Sequence, residues 1–202
     1  MDLELPELPF SLRSHGPDGE WSYADGVLTG QAGARQDRFV PPGGDGLESV
    51  SDAPRLLGRP DGDFQLIARI TVEFAARFDA GVLYLHVDDQ NWAKFCFEYS
   101  PDVPTVCTVV TRGHSDDTNS FTVDGNLIWF RISRIGRAFA FHASHDGDRW
   151  IFVRHFTLGS EREARAAEVG FLVQSPEGEG CRVSFDRIGF KVGGPEDLRD
   201  GS

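Results

Sequence analysis

Residues 81–99, GVLYLHVDDQNWAKFCFEY, decide the fold. Leu83, Leu85 and Val87 alternate with Tyr84 and His86, and beyond a polar turn Phe95, Phe97 and Tyr99 alternate with Trp92, Lys94, Cys96 and Glu98. A period of two is that of a β-strand, whose successive side chains point to opposite faces. The odd-numbered residues are apolar enough for a core. The even-numbered ones form a second face that carries rings, a cation, a carboxylate and an imidazole.

The same pattern extends outward in both directions. Strands are expected at 26–32, 64–72, 104–110, 127–133, 138–144, 150–156, 168–174 and 181–190, each rich in Val, Ile, Phe, Tyr or Trp. Gly (23) and Pro (11) separate these runs at short intervals, the rhythm of an all-β sandwich or barrel. Ile128, Phe130, Ile132, Phe139, Phe141, Ile151, Val153, Val169, Phe171 and Val173 complete the expected core. One short helix is expected in SEREARAAE, 160–168, and a long loop at 41–62. With 202 residues and 40% hydrophobic content, the chain suffices for one domain, 1–192, followed by a polar tail, 193–202, that is expected to fray.

A formal net charge of −12 argues against nucleic-acid and anionic-membrane partners, which need a basic surface. The N-terminal MDLELPELPF has acidic residues where a secretion signal has basic and then apolar ones. Cys96, Cys107 and Cys181 are odd in number and lack metal-ligand spacing, as expected of reduced thiols in a cytoplasmic protein. Cys96 and Cys107 come close if 92–99 and 104–110 pair around Pro101 and Asp102. Neither Asp88-Asp89-Asn91 nor Asp116-Asp117-Asn119 carries a full calcium-loop pattern, and both read as turns, so no metal and no cofactor are expected.

The polar face supplies the candidate ligand-binding residues: Tyr84, His86, Trp92, Lys94, Glu98, Trp129, Arg131 and His142. Trp92 and Trp129 either stack on a sugar ring or pack beneath the long loop. Lys94 and Glu98, four apart on one strand, lie roughly 13 Å from each other, so each needs its own partner, Arg131 being one choice for Glu98. Charges buried without partners are costly.

NWAKFCFEYSPDVPTVCTVVTRGHSDDTNS, LIWFRISRIGRAFAFHASHDGDRW and VGFLVQSPEGEGCRVSFDRIGF together resemble the domain of unknown function 1349 family. The likeness rests on Trp92-x-Lys94-x-x-x-Glu98, on Ser115-Asp116, on Arg131 and on the Ser144–Trp150 turn. The family pattern Ser-Asp-Trp-Ser is Ser115-Asp116-Asp117-Thr118 here, without its Trp. This resemblance implies a concanavalin A-like jelly-roll sandwich of two antiparallel sheets with one concave face. The stretch 110–121, VTRGHSDDTNSF, is expected to be a rim loop leaving its strand at Gly113, with Arg112 and Asp116 closing the groove. The resemblance implies little about activity; the rings and polar groups of the second face lead to the expectation that it binds a carbohydrate or similar polyhydroxylated small molecule. Glycoside hydrolysis needs paired carboxyls, and the face shows Glu98 alone unless Asp116 or Asp117 folds over it. An enzyme using Glu98 or His86 as acid or base, and a regulatory protein-interaction module, are the alternatives. Oligomeric state is not encoded in any motif.

Overall fold

The computed structural model of the chain describes residues 2–17, 20–43 and 46–202. Its first sheet has eight strands in the order β1-β2-β7-β16-β9-β10-β11-β12: β1 (Asp2–Leu3), β2 (Leu12–His15), β7 (Arg55–Gly58), β16 (Glu168–Gln174), β9 (Ala80–Asp88), β10 (Asn91–Tyr99), β11 (Pro104–Arg112) and β12 (His114–Thr122). The second has seven, in the order β15-β14-β13-β8-β17-β4-β3: β15 (Ile151–Thr157), β14 (Ala138–Ser144), β13 (Leu127–Ile135), β8 (Phe64–Glu73), β17 (Cys181–Val192), β4 (Val27–Ala32) and β3 (Glu20–Ala24). A separate ribbon pairs β5 (Arg38–Phe39) with β6 (Val50–Ser51). The named strand pairings are antiparallel throughout.

The odd-numbered set of the 81–99 segment is the inner face of the first sheet. Leu83, Leu85, Phe95, Phe97, Val169, Phe171 and Val173 are fully buried in one core with Ile128, Phe130, Ile132, Phe139 and Phe141 of the second sheet. Phe95 stacks on Phe130 at 3.7 Å and on Phe141 at 4.7 Å, tying the sheets together. The sheets approach closely at Gly81, where a methyl group would stand 2.6 Å from Ile70 and Val183. Ile151 departs from the expected core: it opens the edge strand β15 and is 40% exposed.

The single helix among the described residues, α1 (Glu161–Ala166), starts at Ser160, whose side chain and that of Glu163 cap each other's backbone amides. The 41–62 stretch is less of a loop than expected. It contains β6 and β7, and β7 is an inner strand with all four residues buried. A strand covered on both faces shows no alternation, which is why RLLG carries no period-two signal. Residues 44 and 45 of this stretch lie outside the described residues.

The 110–121 stretch is not a loop either. Gly113, at φ +78°, turns β11 into β12 and permits a backbone that other residues adopt only under strain. The polar run is an edge strand, exposed at most positions on both faces, so its residues had no apolar periodicity to reveal. The 193–202 tail also differs from expectation. It folds back over the outer face of the second sheet, where Arg131 donates to the Gly201 carbonyl at 2.6 Å.

Candidate functional site

Parity placed Tyr84, His86, Trp92, Lys94 and Glu98 on one face, and the register agrees: Trp92 sits opposite His86, Lys94 opposite Tyr84 and Val109, and Cys96 opposite both Val82 and Cys107. Cys96 and Cys107 are thus cross-strand neighbours, as the hairpin reading expected. This is the outer face of the first sheet. Residues 36–43 and 46–53, bearing the β5–β6 ribbon, lie across it. One end is pinned by the bridge between Gln36 and Ser175. Past β5 the cover is held by Ser115: its amide donates to the Val40 carbonyl at 2.7 Å, and its hydroxyl accepts from the Val40 amide at 3.0 Å.

The cover divides the face. Its left half is dry: Tyr84, Trp92, Cys96, Leu57, Val82 and Leu172 pack with Phe39 and Val40 in a second apolar cluster. The Arg38 guanidinium lies 5.0 Å from the Trp92 ring and 6.0 Å from that of Tyr84. Arg38 is held by Ser51 and, at 3.2 Å, by Asp89. Burial raises the Tyr84 phenol to about 12. Trp92 therefore takes the packed role rather than the stacking one. His86 is half-buried outside the cavity lining, and burial together with Arg38 and Arg55 lowers its pKa. The nearby Asp88 accepts the amides of Gln90 and Asn91, each at 2.8 Å, which makes 88–91 a turn as expected.

The other half opens into a cavity of about 350 Å³. Lys94, Glu98 and Gln174 are among its lining, with Phe39 and Val50 of the cover and Phe78 and Pro176 as apolar walls. A hydrogen-bonded row crosses its floor. Lys94 Nζ donates to Asp37 at 3.1 Å and to Gln174 Oε1 at 2.9 Å, while Gln174 Nε2 donates to Glu98 at 3.2 Å and to the Phe78 carbonyl at 3.1 Å. Burial works against the charge of Lys94, but Asp37 and its neighbouring acids outweigh it and the pKa is raised. Burial pushes Glu98 up to about 7, helped by Asp37 and opposed by Lys94. Burial likewise pushes the Cys96 and Cys107 thiols up, leaving them protonated and poor nucleophiles.

The remaining candidates are elsewhere. Trp129, Arg131 and His142 belong to β13 and β14 of the second sheet, so the expected single face splits into two on opposite surfaces of the sandwich. Arg131 cannot pair with Glu98. It is buried against Trp150 at 4.4 Å, and burial lowers its pKa to about 10. His142 contacts the Leu198 carbonyl at 2.8 Å through Nε2, and burial lowers it to about 4. Trp129 is half-buried with Arg69 over its ring at 5.7 Å. Arg112 donates to the Thr157 carbonyl at 2.9 Å, and Asp116 faces Arg154 at 3.4 Å; neither lines the cavity. The Ser144–Trp150 motif is a turn in which Asp146 accepts the Asp148 and Arg149 amides, both at 2.9 Å.

Sequence reasoning missed Asp37, Phe39 and Phe78. The only signal for Asp37 was the demand that a buried Lys94 find a partner. Gln174 stood on the polar face by parity but had no property to single it out.

Two antiparallel sheets packed face to face, with a ribbon-covered cavity on one outer face, make this a concanavalin-like β-sandwich. The chain belongs to the family described as "Protein of unknown function (DUF1349)", which matches residues 15–192. It is 25% identical over 136 residues to "Regulation of enolase protein 1" of Saccharomyces cerevisiae, covering 66% of this chain and 67% of that protein. A functionally unknown protein from the same yeast superposes with a TM-score of 0.80 at 18% identity, over 90% of this chain and 96% of that one. The carbohydrate binding module CBM66 from Bacillus subtilis superposes with a TM-score of 0.55 at 14% identity, over 88% and 94% of the two chains. Among the described residues no helix is long and apolar enough to cross a membrane.

Proposed function

We propose that the cavity binds a carbohydrate or a similar polyhydroxylated small molecule. The observation that carries this reading is the floor row Asp37–Lys94–Gln174–Glu98, in which donors and acceptors alternate at hydrogen-bond spacing. A hydroxyl both donates and accepts, so a polyol can engage such a row at several points. Phe39 and Phe78 supply apolar surface for the C–H faces of a ring. A volume of about 350 Å³ is at the low end for ligand sites and suits a small molecule. The fold shared with a carbohydrate binding module supports the same class. The free state of Cys96, Cys107 and Cys181 supports a cytoplasmic setting.

The test is a thermal-shift panel of mono- and disaccharides, sugar alcohols and sugar acids, since a ligand that binds only the native chain raises its melting temperature. A Phe39→Ala variant that remains folded is expected to lose at least tenfold in affinity for any hit. A panel in which nothing shifts the native chain contradicts the reading.

A second reading, proton transfer to a bound sugar or polar metabolite, is favoured by Glu98, whose pKa of about 7 suits a general acid or base. Chromatography of each hit after incubation, with Glu98→Gln beside it, separates binding from turnover. The name of the yeast relative supports a third, regulatory contact with another protein; it gains only if the sugar panel is silent.

A further inference from the structure

We propose that the cavity selects a cationic polyol, a ligand bearing a protonated amine beside its hydroxyls, of which a hexosamine is the simplest form. The inference rests on the binding reading above and adds the sign of the ligand's charge.

Among the described residues lining the cavity, Lys94 is the only cation. It is 2% exposed and already committed to Asp37 and Gln174, so its charge is spent inside the floor row. The carboxyl groups of the lining other than Asp37 have no cation of their own among the described residues. Glu98 lies at the floor, while Glu48, Asp117 and Glu177 line the same cavity from the cover, β12 and the segment after β16. None of these four forms an ion pair with Lys or Arg among the described residues. A neutral sugar leaves that excess uncompensated, and an anion adds to it. An ammonium group offsets it.

The floor carboxyl adds a proton-linked signature. Glu98 faces Lys94 and Cys96 of its own strand, Cys107 of β11, Asp117 of β12 and Asp37 of the cover. In the empty cavity burial and the two aspartates favour its protonated form, with Lys94 opposing. An ammonium beside it favours the carboxylate, so the proton leaves Glu98 for solvent as the ligand binds.

The experiment is isothermal titration of the full chain at pH 6.5, in two buffers of different ionisation enthalpy, with glucosamine, galactosamine, glucose, galactose and glucuronate. Each amine is expected to bind at least tenfold more tightly than its neutral parent, with glucuronate weakest. Proton release is expected for the amines and not for the parents. Glu98→Gln should bring the amine down to its parent or below, and Asp117→Asn, at the cavity edge, should narrow the ratio about threefold. Neutral sugars binding as tightly as amines, or glucuronate binding best, overturns the charge inference and leaves the sugar site standing. Five silent ligands with a folded chain overturn the inference, and silence across the wider panel described above removes the site itself.

Discussion

Gln174 bridges Lys94 and Glu98, accepting from the ammonium at 2.9 Å and donating to the carboxylate at 3.2 Å. Two residues four apart on one strand, too far to touch, are thus joined by a side chain from β16, which reaches them across Ala80 of the intervening strand β9. Gln174→Leu deprives Lys94 of one acceptor and Glu98 of its amide donor. The expected cost is about 1–3 kcal/mol, the penalty for leaving buried polar groups unpaired, read as a lower midpoint in urea with an unchanged slope.

Glu98 makes stability fall as pH rises. Its folded-state pKa of about 7 lies above the ordinary carboxylate value of 4.5. Between those values the folded chain keeps a proton that the unfolded chain has released, so raising the pH favours unfolding. The loss begins near pH 4.5 and is complete just above 7, on the order of 1–2 kcal/mol after allowance for the partial exposure of the group. The difference in denaturation midpoint between the native chain and Glu98→Gln, which cancels every other titrating group, should shift against the native chain as the pH rises from 4.5 to 8.

His142 acts in the opposite sense. Burial holds it near 4 against an ordinary 6.5, so the unfolded chain takes up a proton first as the pH drops. Its contribution is present above pH 6.5 and is lost on acidification towards 4. An imidazole resonance that titrates near 4, and a shallower acid limb in His142→Gln, are the expected results; a midpoint near 6.5 contradicts the buried placement beneath the tail.

Ser115 is expected to matter for the cover rather than for ligand contact. Ser115→Ala removes the hydroxyl that accepts the Val40 amide and meets Thr111 at 2.9 Å. Hydrogen exchange at Val40 should quicken by about an order of magnitude, consistent with the roughly 1 kcal/mol of one such bond, while strands β9 and β10 keep their protection.

Trp92 is a packing residue, fully buried beneath Arg38. Trp92→Ala should cost about 3–5 kcal/mol through the cavity it leaves. A variant of near-native stability that only lost ligand would restore the stacking role.

The strands were legible wherever one face is buried and the other is not. Residues 81–99 carry that contrast in every pair of positions, and the register of Lys94 with Val109 and of Trp92 with His86 follows it. Strands uniform on both faces were not legible: β7 is buried throughout and β12 is mostly exposed, so neither alternates. Ile151 looked like core because its side chain is apolar, but an edge strand gives it little to pack against.

The sequence by itself determined the all-β class, the core parity and the shared side of Lys94 and Glu98, because these depend on the alternation of side chains along one strand. Only the tertiary structure decided which sheet each polar row belongs to and what covers it. Asp37 reaches Lys94 across 57 residues, and Arg131 lies on the far surface from Glu98. Period two says that a side chain leaves the core; which outer surface it reaches is set by strand order, a property of long-range pairing that no local pattern contains.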